Sequence, residues 1–260
     1  MSFIYGQQTT RKVLDLNPTY WWTLNNSVIS AVSLSGSLVT SVTCGGSANS
    51  TVTGNNWDTV TVNGKRWGYG SAASGKLYSS SIPVAVGYGM SAFVIARIKP
   101  GLGAASAWPY FFDLQSPRVS FSMDGFGYNI DGGEMSIYMG STYGYDSGDT
   151  TIGGRLNAST HTICGCYGYF NSNNSFMSWT DAVTNTINTN LINNNNTVVS
   201  TSVDTGPLFI NNRHSNDRGN INVQMAELIM FPGQELTTDQ RNLLWDYLNQ
   251  YYYINRATAP

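Results

Sequence analysis

The sequence predicts an all-β protein: an antiparallel jelly-roll sandwich closed by one C-terminal α-helix. Three observations lead there. Short segments of alternating apolar and polar residues recur from Val13 onward, and clusters of Gly, Asn, Asp and Ser separate them. Only one stretch, near the C-terminus, repeats its apolar residues at helical spacing. The chain of 260 residues fits one large β domain, and 41% hydrophobic with 13% aromatic residues supply a core of matching size.

In chain order, residues 1 to 14 mix apolar, Gln, Thr and basic residues without a period and read as an N-terminal arm. Residues 15 to 260 read as a single domain. Strands are expected at Trp57 to Val62 before an Asn63-Gly64 turn, Ser91 to Ile98, Tyr110 to Leu114, Val119 to Met123 and Glu134 to Met139. Asx-Gly pairs supply the positive φ angles of tight hairpins, which gives these turns a mechanism. Further strands are expected at His161 to Phe170, Ser175 to Trp179, Val198 to Val203, Leu208 to Asn211 and Asn222 to Phe231. Pro232-Gly233 ends the last of them. Thr237 and Gln240 then have capping-box spacing, ahead of Leu243, Leu244, Tyr247, Leu248 and Tyr251 on one helical face.

Charge narrows the function classes. Charged residues make up 11% of the chain, less than half the ~25% usual for a soluble domain, so neutral polar groups must cover the surface. The formal net charge is -2, and the 13 basic residues are scattered, so no stripe exists for tracking nucleic-acid phosphates. No basic region followed by an apolar one opens the sequence, and no apolar run reaches the ~18 residues of a membrane span. Cys44, Cys164 and Cys166 are expected as buried thiols, because a bond between residues two apart on a strand is at the limit of disulfide reach.

The C-terminal quarter carries a resemblance. Gly206-Pro207-Leu208-Phe209-Ile210 leads through a polar loop to Gln224-Met225-Ala226-Glu227-Leu228-Ile229-Met230-Phe231, then to Leu236-Thr237-Thr238-Asp239-Gln240-Arg241 and Leu244-Trp245-Asp246-Tyr247-Leu248. This is similar to the end of the laminin-G-like group of concanavalin A-like domains, where an Ala-Glu strand precedes a Leu-Thr helix. Pro18 to Trp22, Val62 to Trp67 with Leu77-Tyr78, and Met90 to Lys99 resemble earlier strands of the same group. The resemblance implies the fold more firmly than an activity, since this fold hosts many.

Glucan hydrolases of the superfamily carry a Glu-x-Asp-x-x-Glu strand. Here Glu134 is followed by Met-Ser-Ile-Tyr and Glu227 by Leu-Ile-Met-Phe, so catalysis is not expected. Glu227, an acid inside an apolar strand, is expected to satisfy backbone groups where strand meets helix. Strand alternation separates His161 from Cys164 and Cys166, which argues against zinc, and neither His161 nor His214 sits in a nucleophile motif. No cofactor is expected. Calcium stays open through Asp124, Asp131, Asp146, Asp149 and Asp217, which occupy loop-like contexts. Trp67, Tyr69, Trp108, Tyr110, Tyr143 and Tyr145 lie beside Gly and Ser and are the candidates for stacking a glycan, with core or interface packing as the alternative.

The expected function is a non-enzymatic structural protein on a virion surface, a bacteriophage head decoration, head fibre or tail-fibre module. The arm would dock to other virion proteins or to sister subunits, with a homotrimer as the expected assembly. The alternative is a stand-alone carbohydrate-binding, lectin-like module. The two overlap if the virion domain itself binds host glycan.

Overall fold

A computed structural model describes residues 2–85, 90–98, 110–115, 118–124, 134–139, 146–151, 162–170, 175–180, 187–192, 203–212 and 223–252. The strands pair antiparallel throughout and stack as two sheet layers, which the pairing of Leu38 with Asp58 joins along one edge. The first runs β15 (Ile187–Ile192), β14 (Ser175–Thr180), β13 (Thr162–Phe170), β8 (Met90–Ile98), β17 (Val223–Pro232). The far edge of β17 is shared: β1 (Tyr20–Thr23) pairs with Glu227 to Met230, and β6 (Lys65–Gly70), with β5 (Trp57–Val62) beyond it, meets Met225. The second sheet runs β2 (Val32–Ser35), β3 (Leu38–Thr43), β4 (Thr51–Asn55), β7 (Lys76–Ala85), β16 (Val203–Ile210), β9 (Tyr110–Gln115), β10 (Arg118–Asp124), β11 (Glu134–Met139), β12 (Asp146–Thr151).

Two cores follow from this layering. Between the sheets lie Trp22, Val52, Leu77, Val94, Phe112, Leu114, Leu208, Ile210 and Leu228. On the other side of the first sheet, Trp21, Trp67, Phe93, Ile95, Tyr167, Ile229 and Phe231 pack against Leu244, Trp245, Tyr247 and Leu248 of α2 (Thr238–Tyr252). A strand buried on both faces needs an unbroken apolar run, and Ala92-Phe93-Val94-Ile95-Ala96 in β8 is one. Gly165 in β13 makes the close approach of α2 feasible: a Cβ there would lie 2.5 Å from Leu248 and 2.7 Å from Trp245.

Local signals hold where they rest on backbone chemistry. Asn63 and Gly64 have φ of 52° and 72°, the mirror-image turn that joins β5 to β6. Thr237 N–H donates to Gln240 Oε1 at 2.8 Å and Gln240 N–H to Thr237 Oγ at 3.3 Å, a reciprocal capping box. The N-terminal segment differs from expectation. It forms a second helix, α1 (Ser2–Asp15), where the aperiodic composition suggested an irregular arm. Its C-terminal half packs against α2, with Val13 fully buried in the helix-side core, and Asn17 closes it with φ of 55° before Pro18. Val203 begins β16, while the rest of the strand expected at Val198 to Val203 lies outside the described residues.

The register of β17 against β8 shifts between Met225 and Glu227. This bulge at Ala226 breaks the alternation, so Ala226 as well as Ile229 and Phe231 packs on the helix side. It also aims Glu227 at α2.

Candidate functional site

Glu227 is 2% exposed and sits in a cage of four side-chain donors. Thr23 Oγ (3.0 Å), Tyr247 OH (2.7 Å) and Tyr252 OH (2.5 Å) donate to Oε1, and Trp21 Nε1 (2.8 Å) donates to Oε2. Burial raises its carboxyl above the ordinary range, although all four bonds pull the other way. Tyr247 and Tyr252 are pushed well up by burial and then by the neighbouring carboxylate. The expected structural role therefore takes a different form: Glu227 joins β1, β17 and α2 through side chains and not through backbone groups. Its four partners and its burial enclose it away from solvent.

Three of the six candidate aromatics lie among the described residues. Trp67 is 1% exposed and belongs to the helix-side core, 5.5 Å from the Tyr252 ring, because the glycine beside it makes room for Trp57 and does not mark a loop. Tyr69 is half-buried on β6 opposite Asp58, and burial followed by the Asp58 charge raises its hydroxyl pKa. Tyr110 is half-buried at the start of β9, its backbone paired with Ser122. Trp108, Tyr143 and Tyr145 lie outside the described residues.

Among the described residues no group of three metal-ligating side chains converges. Of the aspartates expected in loops, Asp124 ends β10 and Asp146 and Asp149 lie within β12, while Asp131 and Asp217 lie outside the described residues. Cys164 and Cys166 share a face as expected, with Sγ atoms 3.8 Å apart and fully buried, and burial pushes the Cys166 thiol well up. Cys44 is a half-buried free thiol.

A different arrangement brings polar and aromatic groups together. Two helices cover the outer face of the first sheet, whereas the outer face of the second carries the side chains that alternate away from the sandwich core. Strand register aligns Thr53, Tyr78, Phe209 and Asp113 in one row across β4, β7, β16 and β9, and the row continues at backbone level to Ser120 and Tyr138. Six adjacent strands span about 24 Å at the usual inter-strand spacing. Tyr78 and Phe209 meet at 5.1 Å with planes tilted 49°, and Lys76 Nζ stands 5.2 Å and 5.1 Å over the two rings. Burial lowers the Lys76 pKa. Asp113 is buried beside Phe209, and Thr53 and Asn55 are exposed at the other end. Phe209 is buried too, so the half-buried Tyr78 ring, the Lys76 ammonium and the neutral groups of Thr53 and Asn55 are what this rigid sheet face presents.

No family model matches the chain, and no curated protein is significantly similar to it in sequence. Solved structures share its fold. Domain 4 of AbnA, a GH43 extracellular arabinanase from Geobacillus stearothermophilus, in complex with arabinotriose, superposes with a TM-score of 0.53 at 13% identity, covering 87% of this chain and 98% of that one. Trypanosoma rangeli sialidase gives 0.55 at 11%, covering 98% of this chain and 39% of the sialidase, and a GH54 α-L-arabinofuranosidase gives 0.56 at 10%, covering 90% and 59%. A tailspike protein of Escherichia coli O157:H7 bacteriophage CAB120 gives 0.51 at 14%, covering 76% and 27%. The chain thus spans nearly all of the arabinanase domain and well under two thirds of the other three.

The fold these structures share with the chain is an antiparallel β-sandwich. The expectation of a non-enzymatic virion structural protein is corrected by these neighbours, most of which are carbohydrate-active enzymes. The alternative of a stand-alone lectin-like module is corrected by the same neighbours.

Proposed function

We propose that the chain is a carbohydrate-recognition β-sandwich serving a carbohydrate-active protein, and that it holds an oligosaccharide across the outer face of the second sheet. The observation that carries this reading is the in-register row Thr53, Tyr78, Phe209 and Asp113 with Lys76 above it. Apolar faces of sugar rings stack on aromatic side chains such as the half-buried Tyr78, and their hydroxyls exchange hydrogen bonds with the Lys76 ammonium and the exposed Thr53 and Asn55. Within the concanavalin A-like kind we place the chain in the laminin-G-like group, supported by the Glu227 strand and the Thr237–Gln240 helix start.

The neighbour bound to arabinotriose makes neutral arabino-oligosaccharides the first probes. Calorimetry with arabinotriose should show micromolar to millimolar binding, about -8 to -4 kcal/mol. Tyr78→Ala should weaken it by about three- to tenfold, the ~0.5–1.5 kcal/mol of one aromatic contact, with the melting temperature nearly unchanged. A glycan array without a neutral ligand, or a Tyr78→Ala variant that binds as the parent does, sinks the reading. Reducing ends released by the purified chain would replace recognition by hydrolysis.

A further inference from the structure

Two cations on the opposite layer have no counter-charge in contact with them among the described residues. Arg97 of β8 points to the helix side of the first sheet, where it is half-buried. Its Nη1 donates to Gln224 Oε1 at 2.8 Å, and its guanidinium lies 5.5 Å over the Trp67 ring. Neither partner is charged. Lys65, from the β5–β6 hairpin, places Nζ 3.4 Å over Tyr251 and 5.4 Å over Tyr252. The acid that influences it is Glu227, which is enclosed by its own four donors. Trp67 and Tyr252 touch each other, so the two cations stand at the two ends of one aromatic pair. Both are only half-buried, and the Trp67 indole N–H beneath Arg97 has no acceptor among the described residues.

Lys65 also has a structural use. The last turn of α2 contains no basic residue, and a cation beside a helix C-terminus offsets its partial negative charge. Arg97 has no comparable use: an amide and an indole face satisfy part of its fork and none of its charge. A half-buried guanidinium with spare donors matches a carboxylate.

We propose that Arg97, with Lys65 at the far end of the Trp67–Tyr252 pair, forms a second site that binds the carboxylates of an acidic oligosaccharide. The sugar half of this inference rests on the carbohydrate reading above, and the anion half rests on the charges alone.

Calorimetric titration of the whole chain with trigalacturonate, arabinotriose and an oligoglutamate of similar charge tests it. Trigalacturonate should bind, and its affinity should fall as salt rises from about 20 to about 200 mM, because the groups are partly exposed. Arg97→Gln should weaken it about tenfold while leaving arabinotriose binding unchanged. Arg97→Lys keeps the charge without the fork and should recover part of the loss, and cooperative melting of each variant shows that it is folded. Wild-type protein that ignores trigalacturonate, or Arg97→Gln that binds it as well as wild type, overturns the proposal. An equal response to oligoglutamate overturns its sugar half in favour of an acidic peptide. If no neutral sugar binds while trigalacturonate binds through Arg97, the second site stands and the platform on the other sheet falls.

Discussion

Truncating Glu227 to alanine would strand four buried donors at once: Trp21 Nε1, Thr23 Oγ, Tyr247 OH and Tyr252 OH. At about 1 kcal/mol or more for each unpaired buried group, the cost is about 4–6 kcal/mol. That is a large share of the ~5–15 kcal/mol that separates folded from unfolded domains. Glu227→Gln keeps the shape and one acceptor oxygen but turns an amide N–H₂ toward one or more donors, for about 2 kcal/mol. Urea unfolding followed by tryptophan fluorescence reads both. With a slope of about 3 kcal/mol/M, the midpoint should fall by about 1.5 M in the alanine variant and about 0.7 M in the glutamine variant. The pH dependence gives an independent check. Burial raises the folded carboxyl above its unfolded value, so between the two pKa values the folded chain holds a proton that the unfolded chain has lost. The contribution of Glu227 is therefore complete below the unfolded pKa and declines as pH rises through the folded one. Glu227→Gln should lack this slope. An alanine variant shifted by less than about 0.3 M, or a difference between wild type and Glu227→Gln that does not change with pH, would refute the cage as the joint between sheet and helix.

Gly165→Val should lift α2 off the first sheet, since its first side-chain carbon already overlaps Leu248 and Trp245; a loss of about 2–3 kcal/mol, with amides of α2 losing exchange protection before those of β8, is the expected pattern. Thiol titration should find Cys164 and Cys166 silent in the native chain and Cys44 slow, because burial raises the Cys44 and Cys166 pKa values and encloses both strand thiols. Rapid native labelling of two or more thiols would contradict that packing.

What could be read from the sequence was what short-range chemistry dictates. The Asn63-Gly64 hairpin, the Thr237–Gln240 cap and the apolar run of β17 each lie within a few residues of their own cause. Helix α1 does not. Its segment contains Gly6, Thr9 and Thr10, and its order comes from packing on α2 and from an Asn26 amide reaching Thr10 at 3.4 Å. The one local trace it leaves is its stop, the Asn17-Pro18 step. Trp67 was misread because a tryptophan next to glycine looks the same whether the glycine loosens a loop or admits a second ring, here Trp57. The row across the second sheet was out of reach because Thr53, Tyr78, Asp113 and Phe209 are joined only by sheet register. A usable hint existed in aromatic residues at outward positions of β7 and β16, where alternation calls for polar ones.

The extra residue at Ala226 splices two strands of opposite phase into one. Upstream of it Val223 and Met225 serve the sandwich core; downstream Leu228 and Met230 do, with Glu227 turned toward the helices. At this length, a chain of fixed pleat could not keep both halves in phase. Removing Ala226 alone would leave Met225 and Glu227 adjacent in the pairings they already make with Ala96 and Ile95, so Val223, Met225, Leu228 and Met230 would all stay on the core face of one regular strand. The count of residues is therefore free to change by one here without turning a side chain over, so natural variants of this sandwich should include chains one residue shorter at 226.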